Sequence, residues 1–136
     1  MKKSLAITVQ SFSFRQGYPP VSEHGGGFVF DCRCLPNPGK EERYKKMTGR
    51  DPAVIEFLEG EEDVRQFRGK VFDLIDMAIE DYLRREFTDL MVSFGCTGGQ
   101  HRSVYFAEQL TLYLKNRAHV KVKLSHLELA KLGFAI

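Results

Sequence analysis

Leu90-Met91-Val92-Ser93-Phe94-Gly95-Cys96-Thr97-Gly98-Gly99-Gln100-His101-Arg102-Ser103-Val104 is the stretch whose reading decides the fold. An apolar run of strand length passes through a glycine-rich turn into a helical pattern. A strand that feeds a helix through a tight turn is the building unit of an α/β sheet. The same turn has the chemistry of an anion site. Glycines let the backbone approach an oxyanion, unpaired N–H groups at the helix N-terminus point at it, and the helix dipole favours negative charge there. Arg102 adds a fork of donors that grips phosphate bidentately, and Thr97 and Ser103 offer hydroxyls. The competing reading is a tight connection whose Arg is merely solvated. Three small residues and an Arg within one turn of the helix start weigh for phosphate or sulfate.

Around this stretch, 136 residues make one domain with room for a real core. An apolar share of 43% with 28% charged residues excludes a disordered chain. Met1-Lys2-Lys3 and Leu5-Ala6-Ile7 start like a leader, but Gln10, Ser11 and Arg15 break the apolar run, and no other run reaches membrane-spanning length. The chain therefore reads as cytoplasmic, without membrane contact. Its three Cys fit a reducing compartment, and Cys32 and Cys34 are poorly placed to bridge each other. Cys32, Cys34, His24 and His101 lack the paired spacings of a metal site, so no metal or cofactor is expected.

The remaining pattern alternates strands and helices. Residues 4–11 and 27–34 read as strands, separated by turn signals at Gly17-Tyr18-Pro19-Pro20 and Gly25-Gly26-Gly27. An excursion over 35–52, punctuated by Pro36, Pro38, Gly39 and Gly49, has room for a short helix at 41–47, and Asp51-Pro52 suits a helix N-cap. Val64, Phe67, Val71, Ile75, Ala78, Ile79 and Tyr82 recur at helical spacing and predict a long helix over 61–85. A strand at 88–94, a helix at 101–116, a strand at 119–124 and a helical tail at 126–136 complete the expectation. The fold class is a single α/β domain with a mixed or mainly parallel central sheet flanked by helices. Its phosphate-type site sits in a strand–glycine loop–helix turn at the carboxyl ends of the strands.

Strand alternation adds Asp31 and Arg33. In 27–34 they share a face with Val29, opposite Phe28, Phe30, Cys32 and Cys34, and emerge near the strand's carboxyl end. Spacing alone leaves two readings level: a second part of the anion site, or a mutual ion pair closing the sheet rim.

Four runs carry a resemblance. Ser11-Phe12-Ser13-Phe14-Arg15-Gln16-Gly17, the run Val29 to Pro38, the Met47-Thr48-Gly49 step and Gly95 to Val104, in this order, closely resemble the C-terminal domain of the RapZ family, also called YvcJ-like or RNase adapter proteins. The resemblance implies a non-catalytic domain that binds a phosphorylated or sulfate-like ligand in the Cys-Thr-Gly-Gly loop, senses an amino-sugar phosphate and binds small regulatory RNA, with an RNase as partner. It places Asp31, Arg33, Asn37, Cys96, Thr97, Gly98, Gly99, His101, Arg102 and Ser103 at matching positions; Gln100, which departs from the pattern, completes the loop's anion-binding candidates. Gly39 stands where some members carry His, and Gln100 where a basic residue is common, so ligand and RNA affinity differ from the relatives' on this expectation. The family's P-loop half has no counterpart in these residues, since G-x-x-x-x-G-K-[ST] does not occur.

A catalytic alternative comes from spacing. Cys96, Gly99, Arg102 and Ser103 form the C-x-x-G-x-x-R-S outline of cysteine-dependent phosphatases, in which a thiolate attacks phosphorus while Arg and loop N–H groups hold the phosphoryl. Gly95 replaces the usual His before the nucleophile, and Asp31 is the one candidate general acid. Lys115, Arg117, Lys121 and Lys123 are the RNA-binding candidates. Alternation places His119, Lys121 and Lys123 on one face of a strand, a basic stripe that fits either the backbone of structured RNA or protection of an exposed edge. Arg43, Lys45, Lys46 and Arg50 form a second basic cluster.

Overall fold

The computed structural model describes residues 4–21, 24 and 26–135, and its chain alternates strands and helices as the hydrophobic periodicity requires. The Met1-Lys2-Lys3 lead and Gly25 of the glycine turn lie outside the described residues. The strands are β1 (Leu5–Ser13), β2 (Phe28–Asp31), β3 (Asp89–Cys96) and β4 (Val120–His126), and the helices are α1 (Pro52–Glu59), α2 (Glu62–Arg84) and α3 (Arg102–Leu114). Three short 3-10 turns sit at Phe14–Gln16, Pro38–Lys40 and Glu42–Tyr44.

The sheet is wholly parallel, in the order β2-β3-β1-β4. Register pairs Val9 with Val92 and Leu124, and Phe30 with Phe94. The connection leaving β1 crosses β3 to reach β2, while the one leaving β3 crosses β1 to reach β4. The chain thus departs in opposite directions from the carboxyl ends of the two central strands, and such a switch point opens the crevice in which α/β sheets bind ligands.

One face of the sheet carries the core. Leu5, Ile7 and Val9 of β1 and Leu90, Val92 and Phe94 of β3 are buried with Val71, Ile75 and Ile79 of α2 and Phe106, Leu110 and Leu114 of α3. Phe94 stacks between Phe30 at 5.4 Å and Phe106 at 5.9 Å, and Phe67 of α2 meets Phe106 edge-on at 5.1 Å. Buried rings of this size dominate core energetics, and truncating one such as Phe94 costs about 3–5 kcal/mol. Parallel sheets are ordinarily covered on both faces. Here Ala6, Val29, Lys121 and Lys123 of the opposite face are exposed.

Three expectations need correction. The second strand ends at Asp31 rather than 34: Cys32 donates its N–H to Gly95 O at 2.8 Å, and the chain then turns, burying Cys32 and exposing Cys34 instead of keeping both on one face. The segment 41–47 holds a single 3-10 turn, Glu42–Tyr44, in place of a regular helix. The tail forms turns over 127–133, where Gly133 at φ 91 ends any helical run. Asp51 occupies the position before Pro52 of α1, but its carboxylate accepts from Thr48 N at 2.7 Å and leaves the helix N–H groups alone.

Candidate anion-binding cleft

The crevice between the ends of β1 and β3 is assembled by hydrogen bonds that tie three chain segments together. Ser13, the last residue of β1, accepts from Arg15 N at 3.1 Å and donates to Thr97 O at 2.6 Å, fixing the turn after β1 against the glycine loop. The 38–50 excursion closes the other side. Gln100 Nε2 donates to Lys45 O and Met47 O, both at 2.8 Å, and Gly49 N donates back to Gln100 O at 3.0 Å. Gly49 has no substitute here, because a Cβ would stand 2.3 Å from His101 O and 2.4 Å from Tyr105 N.

His101 lies at the N-cap position of α3 and bonds Tyr44 O at 2.8 Å through Nε2. A carbonyl only accepts, so Nε2 carries the proton. Burial lowers the His101 pKa, partly offset by the bond to Tyr44. The ring is therefore a neutral clasp for the excursion, with its proton already spent on Tyr44. Gly99, at φ 70, makes the turn into α3, and a Cβ there would meet Glu128 Cγ at 2.7 Å.

The result is a cleft of about 340 Å³. Cys96, Thr97 and Gly98 form its loop wall, Arg102 its base, and Arg15, Asn37 and Lys45 its other walls. Arg102 is only 4% exposed. Its Nη1 donates to Arg33 O and Leu35 O at 3.0 Å, with a long 3.5 Å approach to Cys32 O, so this side chain also holds the chain that leaves β2. Its Nε is buried without a partner, the sole such side-chain atom among the described residues. A buried guanidinium donor left unpaired costs on the order of 1–3 kcal/mol.

The remaining sequence candidates divide. Cys96 is 2% exposed and its Sγ lies 3.1 Å from Ser103 Oγ, beneath the loop. Burial pushes the neighbouring Cys32 thiol well up, which keeps it protonated and inert. Asn37 accepts from Gly39 N at 2.9 Å and caps the first turn of the excursion. Asp31 and Arg33 pair with each other, Nη2 to Oδ2 at 2.7 Å and Nε to Oδ1 at 2.9 Å, outside the cleft lining. Arg33 also lies 3.9 Å from the Phe14 ring centroid, and its hydrogen bonds hold the Asp31 carboxyl below the ordinary carboxylate value. Among the RNA candidates, Lys121 and Lys123 are exposed on edge strand β4, and Lys115 is exposed at the end of α3. Arg117 bonds Asp76 Oδ1 at 2.6 Å and is committed to α2.

Sequence reasoning missed Arg15 and Lys45 as partners of the loop. Arg15 was visible inside a resembling run and Lys45 inside a basic cluster, but the distant segments are brought together by tertiary hydrogen bonds such as those of Ser13 and Gln100. A buried relay also went unread: Ser11 Oγ to His126 Nδ1 and His126 Nε2 to Glu108 Oε2, each 2.7 Å, pinning the ends of β1 and β4 to α3.

Residues 5–130 match the model of the RapZ C-terminal domain. The chain belongs to the RapZ C-terminal domain family. Similar curated proteins carry the name nucleotide-binding protein. One from Nitrosomonas europaea is 41% identical over 119 residues, which cover 88% of this chain and 40% of the relative. Another from Dechloromonas aromatica is 40% identical over 121 residues, covering 89% and 42%. A third from Shewanella halifaxensis is 40% identical over 129 residues, covering 95% and 44%. This RapZ-type chain spans about two fifths of the length of these relatives. No helix among its described residues is long and apolar enough to cross a membrane.

Proposed function

We propose that this domain is a non-catalytic sensor of a phosphorylated small molecule that also serves as an RNA-binding adaptor, with an RNase as a protein partner. The observation that carries the ligand half is Arg102: a guanidinium 4% exposed, at the base of a cleft beside the start of a 13-residue helix, with Nε unpartnered. A phosphoryl group in the cleft would lie beside this charge and near the start of α3, where a helix dipole and unpaired N–H groups favour an anion. The names of the relatives, nucleotide-binding protein, agree with a phosphorylated ligand at the level of chemical class. The RNA half rests on Lys121 and Lys123, which stand exposed on an edge strand away from the cleft lining, so the two surfaces are separable.

A second reading has one observation in its favour, the Cys96 Sγ contact with Ser103 Oγ, which is what the phosphatase outline needs to support a nucleophilic sulfur. The same geometry leaves that mechanism short of a proton donor. Asp31, the candidate general acid, is taken by Arg33 and lies outside the cleft lining, and no lining side chain among the described residues is a carboxylate. Sensing is therefore the reading we adopt. An assay with an aryl phosphate separates the two: we expect no turnover above background in wild type and no difference in Cys96→Ser. Turnover that depends on Cys96 would replace the sensor with an enzyme.

A further inference from the structure

We propose that the outer edge of β4 is a strand-addition site for an extended segment of a partner protein in which apolar and acidic residues alternate. β4 pairs with β1 over its whole length, Val120–His126 against Leu5–Ser11, and no described strand pairs with its other side. Leu5 N donates to His119 O at 2.8 Å, and Leu127 N to Ser11 O at 3.0 Å. Between these two bonds the alternation of a parallel ladder turns the N–H and C=O groups of Lys121, Lys123 and Ser125 toward β1 and those of Val122 and Leu124 outward. The strand runs seven residues in one continuous register without proline, so it lacks the short length, proline or bulge that blunts an edge. The tail does not cover it either. Residues after β4 turn back over the strand ends, with Glu128 against Gly99 and Ala135 O accepting from Arg50.

Side chains tell what kind of strand fits. On the core side of the sheet, α3 and β4 border a groove of about 430 Å³ whose apolar wall is Leu112, Leu114, Val120 and Val122. Leu112 is 62% exposed there. Lys121 and Lys123 stand on the opposite face, and Lys115 lines the groove. None of the three has a carboxylate partner among the described residues, while Glu108, the acid at the groove, is held by His126 at 2.7 Å. Successive side chains of an added strand point to opposite faces, so one set enters the groove and the alternate set lies beside the lysines. Apolar residues suit the first set, and Asp or Glu the second. A second copy of this chain, paired edge to edge through β4, would bring Lys121 and Lys123 against their own counterparts, which like-charge repulsion opposes. An RNA backbone would meet the same lysines but would leave the apolar groove and the outward amides of Val122 and Leu124 unused.

Fluorescence anisotropy with capped, labelled peptides of about eight residues tests the site on the whole 136-residue chain. A peptide alternating Glu and Val is expected to bind at least about tenfold tighter than its Lys-Val or Glu-Ser counterpart. Binding should slow hydrogen exchange of the Val122 and Leu124 amides. N-methylation of one alternate set of peptide residues should abolish binding, while methylation of the other set is tolerated. Leu112→Glu on the exposed groove wall should weaken binding at least about tenfold, with circular dichroism confirming the fold. Should that variant misfold, the peptide ranking and the exchange data decide. Glu-Ser binding as tightly as Glu-Val, or a loss that ignores which set is methylated, overturns strand addition and leaves a general anion surface of the kind RNA would use. No binding of the Glu-Val peptide overturns it outright. All these outcomes are independent of the anion cleft, which shares no lining residue with the groove.

Discussion

At the carboxyl end of β3, Arg102 is 4% exposed and tied to two backbone carbonyls at 3.0 Å, whereas on β4 Lys121 and Lys123 stand in solvent on a face that no helix covers. Both regions are basic. In the cleft the charge is fixed by the fold, so an anion that binds there need not order it, and desolvation strengthens the contact. On the edge strand the charges are mobile and screened, which suits diffuse contact with a phosphate backbone and equally blocks edge-to-edge pairing of sheets. Net charge of +2 describes neither region; the way each cation is held separates them.

The largest effect that would break this contrast is at Arg102. Arg102→Gln should weaken phosphate binding by about 2 kcal/mol or more and also lower thermal stability, because the segment from Cys32 to Leu35 loses its tether. Lys121→Gln should change neither, as read by calorimetry and thermal denaturation. Equal losses from both substitutions would erase the distinction.

The next effect concerns the clasp that shapes the cleft. Gly49→Ala drives a Cβ into His101 O and Tyr105 N, and overpacking of this kind costs typically about 1–3 kcal/mol. Chemical denaturation should show that loss together with weaker phosphate binding, while Gly69→Ala on α2, where a Cβ meets nothing within 4 Å, should be neutral to slightly stabilising. A smaller effect is carried by pH. His101 is held neutral with its pKa below the ordinary 6.5, so the unfolded chain takes up its proton first as pH falls. Its contribution to stability is complete above about pH 6.5 and is lost progressively below it. Melting temperatures measured from pH 7.5 to 5 should fall more steeply in wild type than in His101→Gln; parallel curves would mean that the ring protonates freely in the fold.

The smallest effect is on the edge strand. Lys121→Glu with Lys123→Glu should reduce binding to a structured RNA and flatten its logarithmic salt dependence by roughly one to two contacts' worth of slope, with phosphate affinity untouched. Indifference of RNA binding to both lysines would leave the stripe as edge protection alone.

What the sequence showed and what it hid follow from the range of the interactions. The β3–loop–α3 stretch was legible because its signals are local: an apolar run, glycines and a helical period. The long helix and the parallel strands followed for the same reason. The end of β2 was not, since Phe28, Phe30 and Cys32 keep the alternation while the ladder stops at Asp31. Nor does spacing distinguish Asp31 and Arg33 as ligands from Asp31 and Arg33 as a pair; 2.7 Å between them is a fact of side-chain geometry. Arg15 and Lys45 were hidden most completely. They stand about 30 residues from each other and over 50 from Gln100 in the case of Lys45, and bonds from the Ser13 and Gln100 side chains to their backbone groups, which carry no signature of Arg or Lys, bring them to one cleft.

Whether Arg102 holds a phosphoryl group is read most directly from its own Nε–H signal in nitrogen-15 NMR during titration with inorganic phosphate. Hydrogen bonding of the unpartnered Nε to the anion predicts a saturable downfield shift of that signal, moving in step with the amides of Gly98, Gly99 and Gln100. An Arg102 Nε–H that stays in place while phosphate saturates the protein would contradict the site.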